Sequence, residues 1–92
     1  MPLIKVSATS RPQSVAGAIS GMVRDHAHAE IIAVGPDAVN QAVKAIAIAR
    51  KYLELDGIDL VMVPNMEDIV IDGNQRTAIV IQVRPRPAQL SP

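Results

Sequence analysis

Residues 35–53 (GPDAVNQAVKAIAIARKYL) constrain the fold more than any other segment, because their apolar residues recur with the spacing of an amphipathic helix. A step of ~100° per residue gathers an apolar core stripe on one face and a basic, polar set on the other. An isoleucine and the only aromatic residue of the chain fall in the polar set, which is typical of a contact surface. The core stripe is Val39, Ala42, Val43, Ile46, Ala49 and Leu53, and the opposite face is Gln41, Lys44, Ile48, Lys51 and Tyr52, with Asn40 at its edge.

Apolar and alternating runs elsewhere predict the other elements. A first helix is expected over residues 11–27, with Ser10 as its cap and Gln13 completing a capping box, and Asp37 is expected to cap the long helix. The predicted core face of the first helix is Val15, Ala18, Ile19, Met22, Val23 and His26. Strands are expected at 3–8, 29–34, 58–63 and 76–84, the third being interrupted at Pro64-Asn65 and resumed at 69–72.

The order β-α-β-α-β-β predicts an α/β (α+β) two-layer sandwich, in which two helices cover one face of a mixed four-stranded sheet. The first two strands are expected to be parallel with a right-handed crossover, and the last two to form an antiparallel hairpin. If the first two strands are neighbours, both helices begin at the same edge of the sheet, where their free N–H groups attract anions.

The length of 92 residues predicts one domain, assigned to residues 1–86, followed by a loose proline-containing tail at 87–92. There is no cysteine, phenylalanine or tryptophan, so the core is expected to be aliphatic and disulfides are excluded. No basic-then-apolar leader and no long apolar run is present, which predicts a cytoplasmic protein without a membrane partner.

Sequence patterns of catalysis and cofactor binding are absent. His26 and His28 are two residues apart and cannot aim both rings at one metal ion, and no nucleophile elbow or phosphate-binding glycine motif occurs. We therefore expect no enzyme activity, no cofactor and no metal. A small-anion sensor at the two helix starts is a minor alternative.

The formal net charge is zero, but residues 52–75 hold six acids and no base, which leaves the remaining segments basic. Lysines and amides suit contacts with phosphate and sugar, without reading of bases. The candidate nucleic-acid-binding residues are Lys5, Arg11, Asn40, Lys44 and Lys51. Neutral overall charge and a single aromatic residue weigh against this interpretation.

A second interpretation uses the helix faces for protein contacts, either in a homo-oligomer, most simply a dimer, or with another protein. Gly17 and Gly21 are four residues apart on the outward face of the first helix, where another backbone could approach closely. The alternative is that the helix tolerates the loss of stability that two glycines cause. Ile48, Ala45 and Tyr52 would form a small apolar patch. The first or the fourth strand is expected to be an exposed sheet edge that needs cover.

Several segments resemble the stage V sporulation protein S family, over residues 3–86. They are IKVSA (4–8), SVAGAI (14–19), AEI (29–31), NQAVKAIAIAR (40–50), IDG (71–73) and RTAI (76–79), of which NQAVKAIAIAR is the most specific. The resemblance implies an Alba-like domain with the same element order and a regulatory role in spore development. It also implies binding of DNA or RNA, since Alba dimers hold nucleic acid with their central body and hairpin arms.

The hairpin of this chain departs from the Alba pattern. Its tip is Asp72-Gly73-Asn74 and its approach carries Glu67 and Asp68, and an acidic arm does not suit a nucleic-acid groove. The lysine pair typical of the archaeal Alba N-terminal loop is replaced by Ser-Ala-Thr-Ser-Arg at 7–11. We therefore expect a non-enzymatic regulator that contacts phosphates through its body, the alternative being a protein adaptor or self-assembling scaffold that binds no nucleic acid.

Overall fold

Four strands and two helices follow one another in the predicted order β-α-β-α-β-β in the computed structural model, which describes residues 3–87. Residues 88–92 of the predicted tail lie outside the described residues. The elements are β1 (Leu3–Val6), α1 (Pro12–His26), β2 (Ala29–Val34), α2 (Pro36–Glu54), β3 (Leu60–Ile71) and β4 (Asn74–Pro85).

The strands form one mixed sheet in the order β1-β2-β4-β3. β1 is parallel to β2, with Ile4 opposite Ile31, and β4 is antiparallel to both β2 and β3. The predicted α+β fold is thus confirmed. Of the two strands considered for an exposed edge, the first is at one, whereas the fourth is not, since β4 is central and the other edge is β3.

One face of the sheet packs against both helices in an aliphatic core. Alternate strand residues point to this face, so Val6, Ile31 and Ile81 are buried with Ile19 of α1 and Leu53 of α2. No polar side-chain atom that is buried in residues 3–87 lacks a hydrogen-bond partner. The core therefore combines apolar burial with complete polar satisfaction, which is the usual basis of a stable small domain.

The helix starts differ in detail from the prediction. The N-cap of α1 is Arg11, whose side chain makes no capping hydrogen bond. Ser10 does not cap the helix, and its hydroxyl accepts the Ser7 N–H at 2.9 Å. The N-cap of α2 is Gly35 with φ of +90°, a backbone conformation that favours glycine, and Asp37 lies inside the first turn. The prediction of Ser10 and Asp37 as N-caps is therefore wrong, although both helices begin within a residue or two of the predicted positions.

The buried face of α2 is rotated from the predicted one. Val43, placed at the centre of the core stripe, is 42% exposed, whereas Ala45 is fully buried. The Gln41 side chain donates to the Ser10 carbonyl in the turn before α1, and the backbone carbonyl of Tyr52, about three turns later on the same side of α2, accepts from Arg24 of α1. Contact with α1 therefore sets the rotation of the helix. Similarly, Ala18 and His26, predicted in the core face of α1, are exposed, while Ala16 and Ser20 are buried.

β3 runs without interruption from Leu60 to Ile71, so the predicted break at Pro64-Asn65 is wrong. A proline can occupy an edge strand, because the missing N–H then faces away from the sheet. β3 pairs with β4 along its whole length, but only residues 78–83 of β4 also pair with β2. The hairpin between Asp68 and Thr77 therefore extends beyond the four-stranded part of the sheet.

A charged clamp joins the end of α2 to both ends of the hairpin. Asp59 accepts hydrogen bonds from Arg86 at 2.8 Å and from Arg50 at 2.7 Å, and its carbonyl accepts the Arg86 backbone N–H. The hydrogen bond from Arg86, followed by that from Arg50, lowers the pKa of the Asp59 carboxyl from 3.8 to about 2. Because these groups are exposed to solvent, the clamp positions the strand ends more than it stabilises the fold.

Leucine substitutions on α2 test which face is buried. Ala45→Leu places extra carbons in a filled contact and is expected to lower the free energy of unfolding by about 1–3 kcal/mol. The matched change Val43→Leu is on the exposed side and is expected to alter it by less than about 0.5 kcal/mol. Urea denaturation measures both values, and an equal or larger loss for Val43→Leu would contradict the observed rotation of α2.

The clamp also predicts a pH dependence. Because the pKa of Asp59 is lowered in the folded state, its stabilisation is fully present above the unfolded pKa of about 3.9 and is lost as pH falls through about 2. The difference in urea midpoint between the wild type and Asp59→Asn should thus be constant near neutral pH and shrink below about pH 4. Asp25→Asn, an exposed carboxylate in no ion pair within the described chain, serves as the control. A difference that persists unchanged to about pH 2 would contradict the clamp.

Candidate nucleic-acid interface

Both helices begin at the same edge of the sheet, as predicted, because β1 and β2 are parallel neighbours. The turn before α1 and the first turns of α2 are also in direct contact, since the Gln41 side chain donates to the Ser10 carbonyl at 2.9 Å. This contact places Arg11, the residue after Ser10, beside the start of α2. The helix-start edge is defined here as residues 7–11 together with Asn40 and Gln41.

Hydroxyl groups order the turn between β1 and α1. The Ser7 hydroxyl lies 3.2 Å from those of both Thr9 and Ser10, and it also accepts the Thr9 backbone N–H at 3.3 Å. These side chains are largely exposed, so each hydroxyl retains hydrogen-bonding capacity toward solvent or a ligand. Together with the positive ends of two helix dipoles, this turn provides a polar surface that favours anions.

An exposed row of polar residues continues from this edge along the outer side of α2. Asn40, Lys44 and Lys51 share this side, and all three are exposed. Lys44 and Lys51 are seven residues apart, which corresponds to ~10 Å along a helix axis. Neither lysine forms an ion pair with a carboxylate of residues 3–87. We call Asn40, Lys44 and Lys51 the outer row of α2.

Three other cations form ion pairs within the fold, with two carboxylates between them. Arg24 pairs with Asp56 at 2.9 Å, and Arg50 and Arg86 both pair with Asp59. The acids of the segment between α2 and β3 therefore neutralise arginines at the far end of the domain. Lys44 and Lys51 of the outer row of α2 keep their charge, and one exposed acid, Asp37, lies in the first turn of the same helix.

Lys5 does not join this surface. It is exposed on β1, but it lies on the sheet face opposite the helices, because Ile4 and Val6 point into the core. There it borders an apolar depression of about 440 Å³ that is also lined by residues 6–8, by Ile32 and Val34 of β2 and by the hairpin residues 69–71. Of the five predicted nucleic-acid-binding residues, the structure thus brings together Arg11, Asn40, Lys44 and Lys51, and separates Lys5 from them.

The four predicted interface residues differ in their surroundings. Gly17 is exposed and Gly21 partly exposed, and a Cβ atom added to either would have no neighbour within 4 Å in the described chain. Tyr52 is 41% exposed, whereas Ile48 is half-buried and packs against the core. The prediction of Ala45 in this patch is wrong, since Ala45 is fully buried, and Ile48 is used largely within the subunit, so the patch is smaller than the sequence indicated.

Two contributors to this region were not predicted from the sequence. Gln41 was expected on the outward face of the helix, but it joins the two helix starts. The apolar depression beside Lys5 was missed because its walls come from β1, β2 and the hairpin, which are far apart in the sequence. Neither feature has a local sequence signal beyond an amide on a helix and alternating apolar residues on strands.

Residues 3–87 contain no group of three or more histidine, cysteine or acidic side chains arranged to hold a metal ion. None of the helices in this part of the chain is long and apolar enough to span a bilayer.

Comparison with models of known protein families identifies a family for this chain. Residues 2–86 match the family described as Stage V sporulation protein S (SpoVS), which covers nearly the whole chain. The match includes every strand and helix described above.

Alanine substitutions at the two helical glycines test whether glycine is needed there. Because an added Cβ has open space, Gly17→Ala and Gly21→Ala are each expected to raise the free energy of unfolding by about 0.5–1 kcal/mol through helix propensity alone. Thermal denaturation measures the change, and sedimentation of the same variants shows any effect on self-association. A lower melting temperature, or loss of self-association, would show instead that an outside backbone approaches these glycines.

Proposed function

The chain belongs to the stage V sporulation protein S family, a family of sporulation regulators, and we propose that it binds DNA or RNA through phosphate contacts in a non-enzymatic regulatory role. The observation that carries this proposal is the outer row of α2. Lys44 and Lys51 are exposed and have no carboxylate partner in the described chain, and they continue the surface of the helix-start edge. The net charge of the whole protein is zero. A protein does not need a high net charge to bind phosphates if its acids are placed elsewhere.

The spacing and chemistry of these residues suit a polyanion. Lys44 and Lys51 act as mobile point charges, and neutralising phosphates with them would release counterions condensed on the nucleic acid. Asn40 and the exposed hydroxyls of the helix-start edge can donate hydrogen bonds to phosphate or sugar oxygens. Arg11 adds a guanidinium next to the same edge.

Contacts of this kind carry little sequence information. Tyr52, the only aromatic residue of the chain, is separated from Lys51 by about 100° around the helix, so the outer row of α2 contains no aromatic residue. Stacking and reading of base edges are therefore not provided by this surface. We expect binding that depends steeply on salt and tolerates different sequences.

The hairpin is a poor candidate for the binding surface. Glu67, Asp68 and Asp72 lie along its extension, and the Asp68 carboxylate accepts only a long hydrogen bond from Thr77. Arg76 is the single base in that segment. Net negative charge on the hairpin repels phosphates, so the body of the domain is the surface that fits nucleic acid.

A second candidate function is a protein adaptor or self-assembling scaffold without nucleic-acid binding. Exposed apolar side chains favour it, above all Met66 at 75% and Val70 at 72% exposure on the hairpin. Large apolar side chains that are exposed in groups are typical of protein contacts. The two candidates differ in their response to salt, because apolar contacts do not weaken as salt is raised.

Charge reversal on the outer row tests the proposal. Lys44→Glu/Lys51→Glu should weaken binding to DNA and RNA oligonucleotides of all sequences by about tenfold or more at low salt. The slope of log K against log salt should fall by about 1.5–2, the value for two lost phosphate contacts. Fluorescence anisotropy over a salt series measures both quantities.

The matched control is Arg76→Glu/Arg84→Glu, which changes the net charge by the same amount on strand β4. Both arginines are exposed and form no ion pair within residues 3–87. The control should bind nearly as the wild type does. Equal losses for the two double variants would refute a contact at the outer row, and no binding by the wild type at low salt would favour the adaptor.

A further inference from the structure

The sheet face opposite the helices carries more aliphatic side chains than a solvent-facing sheet usually does. Strand alternation and register place Ile32 and Val34 of β2, Val80 of β4, and Ile69 and Ile71 of β3 on this face. Val80 is only 7% exposed, although it does not belong to the core beneath the helices. We call this surface the open face of the sheet.

The aliphatic side chains of the open face border the depression of about 440 Å³ beside Lys5. Its lining comes from both edges of the sheet, since Ser7 and Ala8 follow β1 and residues 69–71 belong to β3. Because β2 and β4 separate these edges, the twisted hairpin must curve over the open face to approach the end of β1. The depression is thus concave and of the size that small ligands occupy.

A single cation lies among the described residues that line the depression. Lys5 is opposite Ile32 on the neighbouring strand, is exposed, and forms no ion pair within residues 3–87. None of the described lining residues is acidic, and Ser7 is the only other one with a polar side chain. Lys5 is also the predicted phosphate-binding residue that lies apart from the outer row and the helix-start edge. The depression therefore combines an apolar surface with one positive charge at its β1 side.

Polar neighbours on the open face limit the size of a ligand. Glu30, Gln82, Asn65, Glu67 and Arg76 share this face with the aliphatic residues and lie around them on β2, β4 and β3. A standard protein interface buries about 800 Å² of each partner around an apolar centre. The few aliphatic side chains of the depression offer a much smaller apolar surface, which suits a small molecule better than a protein face.

We propose that this depression binds a medium-chain fatty acid as its carboxylate. The acyl chain lies against Ile32, Val34, Ile69 and Ile71, and the carboxylate accepts a hydrogen bond from the Lys5 ammonium. Burial of methylene groups supplies the affinity, and the ion pair distinguishes the acid from an uncharged alcohol. The aliphatic lining offers no partners for the polar groups of a sugar or a base, so it favours a plain hydrocarbon chain. Binding here does not require the outer row to bind nucleic acid.

A chain-length series tests whether the depression holds an acyl chain. Hexanoate, octanoate and decanoate are titrated into the isotope-labelled protein, and nuclear magnetic resonance gives both the Kd and the location. Backbone signals of residues 5–8, 32–34 and 69–71 should shift. Each added methylene should lower the Kd by about two- to fourfold, fourfold being the value for complete burial. A Kd that does not change with chain length, or shifts confined to other segments, would refute an acyl site here.

Neutralisation of Lys5 tests the contact with the carboxylate. Lys5→Gln should raise the Kd of octanoate by about three- to fivefold and leave the Kd of octan-1-ol unchanged, because only the acid carries a charge. The matched control is Arg84→Gln, which removes a positive charge from the far end of the open face and should alter neither value. Equal effects of Lys5→Gln on the acid and the alcohol would contradict the ion pair.

A polar substitution in the hairpin tests the apolar wall. Ile71 is 38% exposed, so Ile71→Asn should leave the fold intact, as circular dichroism can verify, and raise the Kd of octanoate several-fold. Leu55→Asn is the matched control, because Leu55 is a 96% exposed apolar residue outside the depression. Its Kd should equal that of the wild type.

Two further outcomes would overturn the fatty-acid site. One is a wild type that shows no saturable shift with any of the three acids up to about 10 mM, which excludes even millimolar affinity. The other is a wild type that binds none of the acids but changes its mass in sedimentation equilibrium on Ile71→Asn, which would assign the open face to a second copy of the chain. Because oligonucleotide binding is measured separately with Lys44→Glu/Lys51→Glu, failure of this site is distinguishable from failure of the proposed function.

Discussion

Close packing of alanine between two helices and a sheet is the constraint on which the rest of this structure depends. With no phenylalanine or tryptophan, the chain fills its core with small and branched aliphatic side chains. Ala42, Ala45 and Ala49 of α2 are fully buried, as is Ala16 of α1. Such short side chains fix the rotation of α2, because any larger residue at those positions would separate the layers. That rotation in turn decides which lysines and which apolar residues of α2 face outward.

The element order was predictable from the sequence, since strand and helix periodicities alternate and turn residues separate them. The rotation of α2 was not predictable, because alanine is weakly apolar. The hydrophobic pattern therefore placed Val43 at the centre of the core stripe and left Ala45 out of it. Ser10 and Asp37 are residues typical of caps, but the turn before α1 uses Ser10 internally. Pro64 was taken as a break because a sequence does not show that its strand lies at an edge, where proline is tolerated.

The candidate site was predictable where it depends on one helix and unpredictable where it depends on tertiary contacts. Helical spacing alone places Asn40, Lys44 and Lys51 on one side, and the structure has all three exposed there. Lys5 was misplaced because strand alternation shows two faces without showing which one the helices cover. The depression of about 400 Å³ between α2 and β3 combines Val43 of the helix with Met62, about twenty positions later, so no local pattern could indicate it.

Segregation of charge gives this neutral chain its proposed role: Glu67, Asp68 and Asp72 lie on the hairpin and Asp59 in the clamp, while Lys44 and Lys51 of α2 form no ion pair within residues 3–87. The central claim is that the body, and not the hairpin arm, contacts nucleic acid. The most direct measurement is nuclear magnetic resonance of the labelled protein titrated with a short oligonucleotide at low salt. Backbone signals of residues 7–11 and of Asn40, Lys44 and Lys51 should shift, while those of the hairpin between Asp68 and Thr77 stay in place. Shifts concentrated in that hairpin, or none at all, would contradict the account.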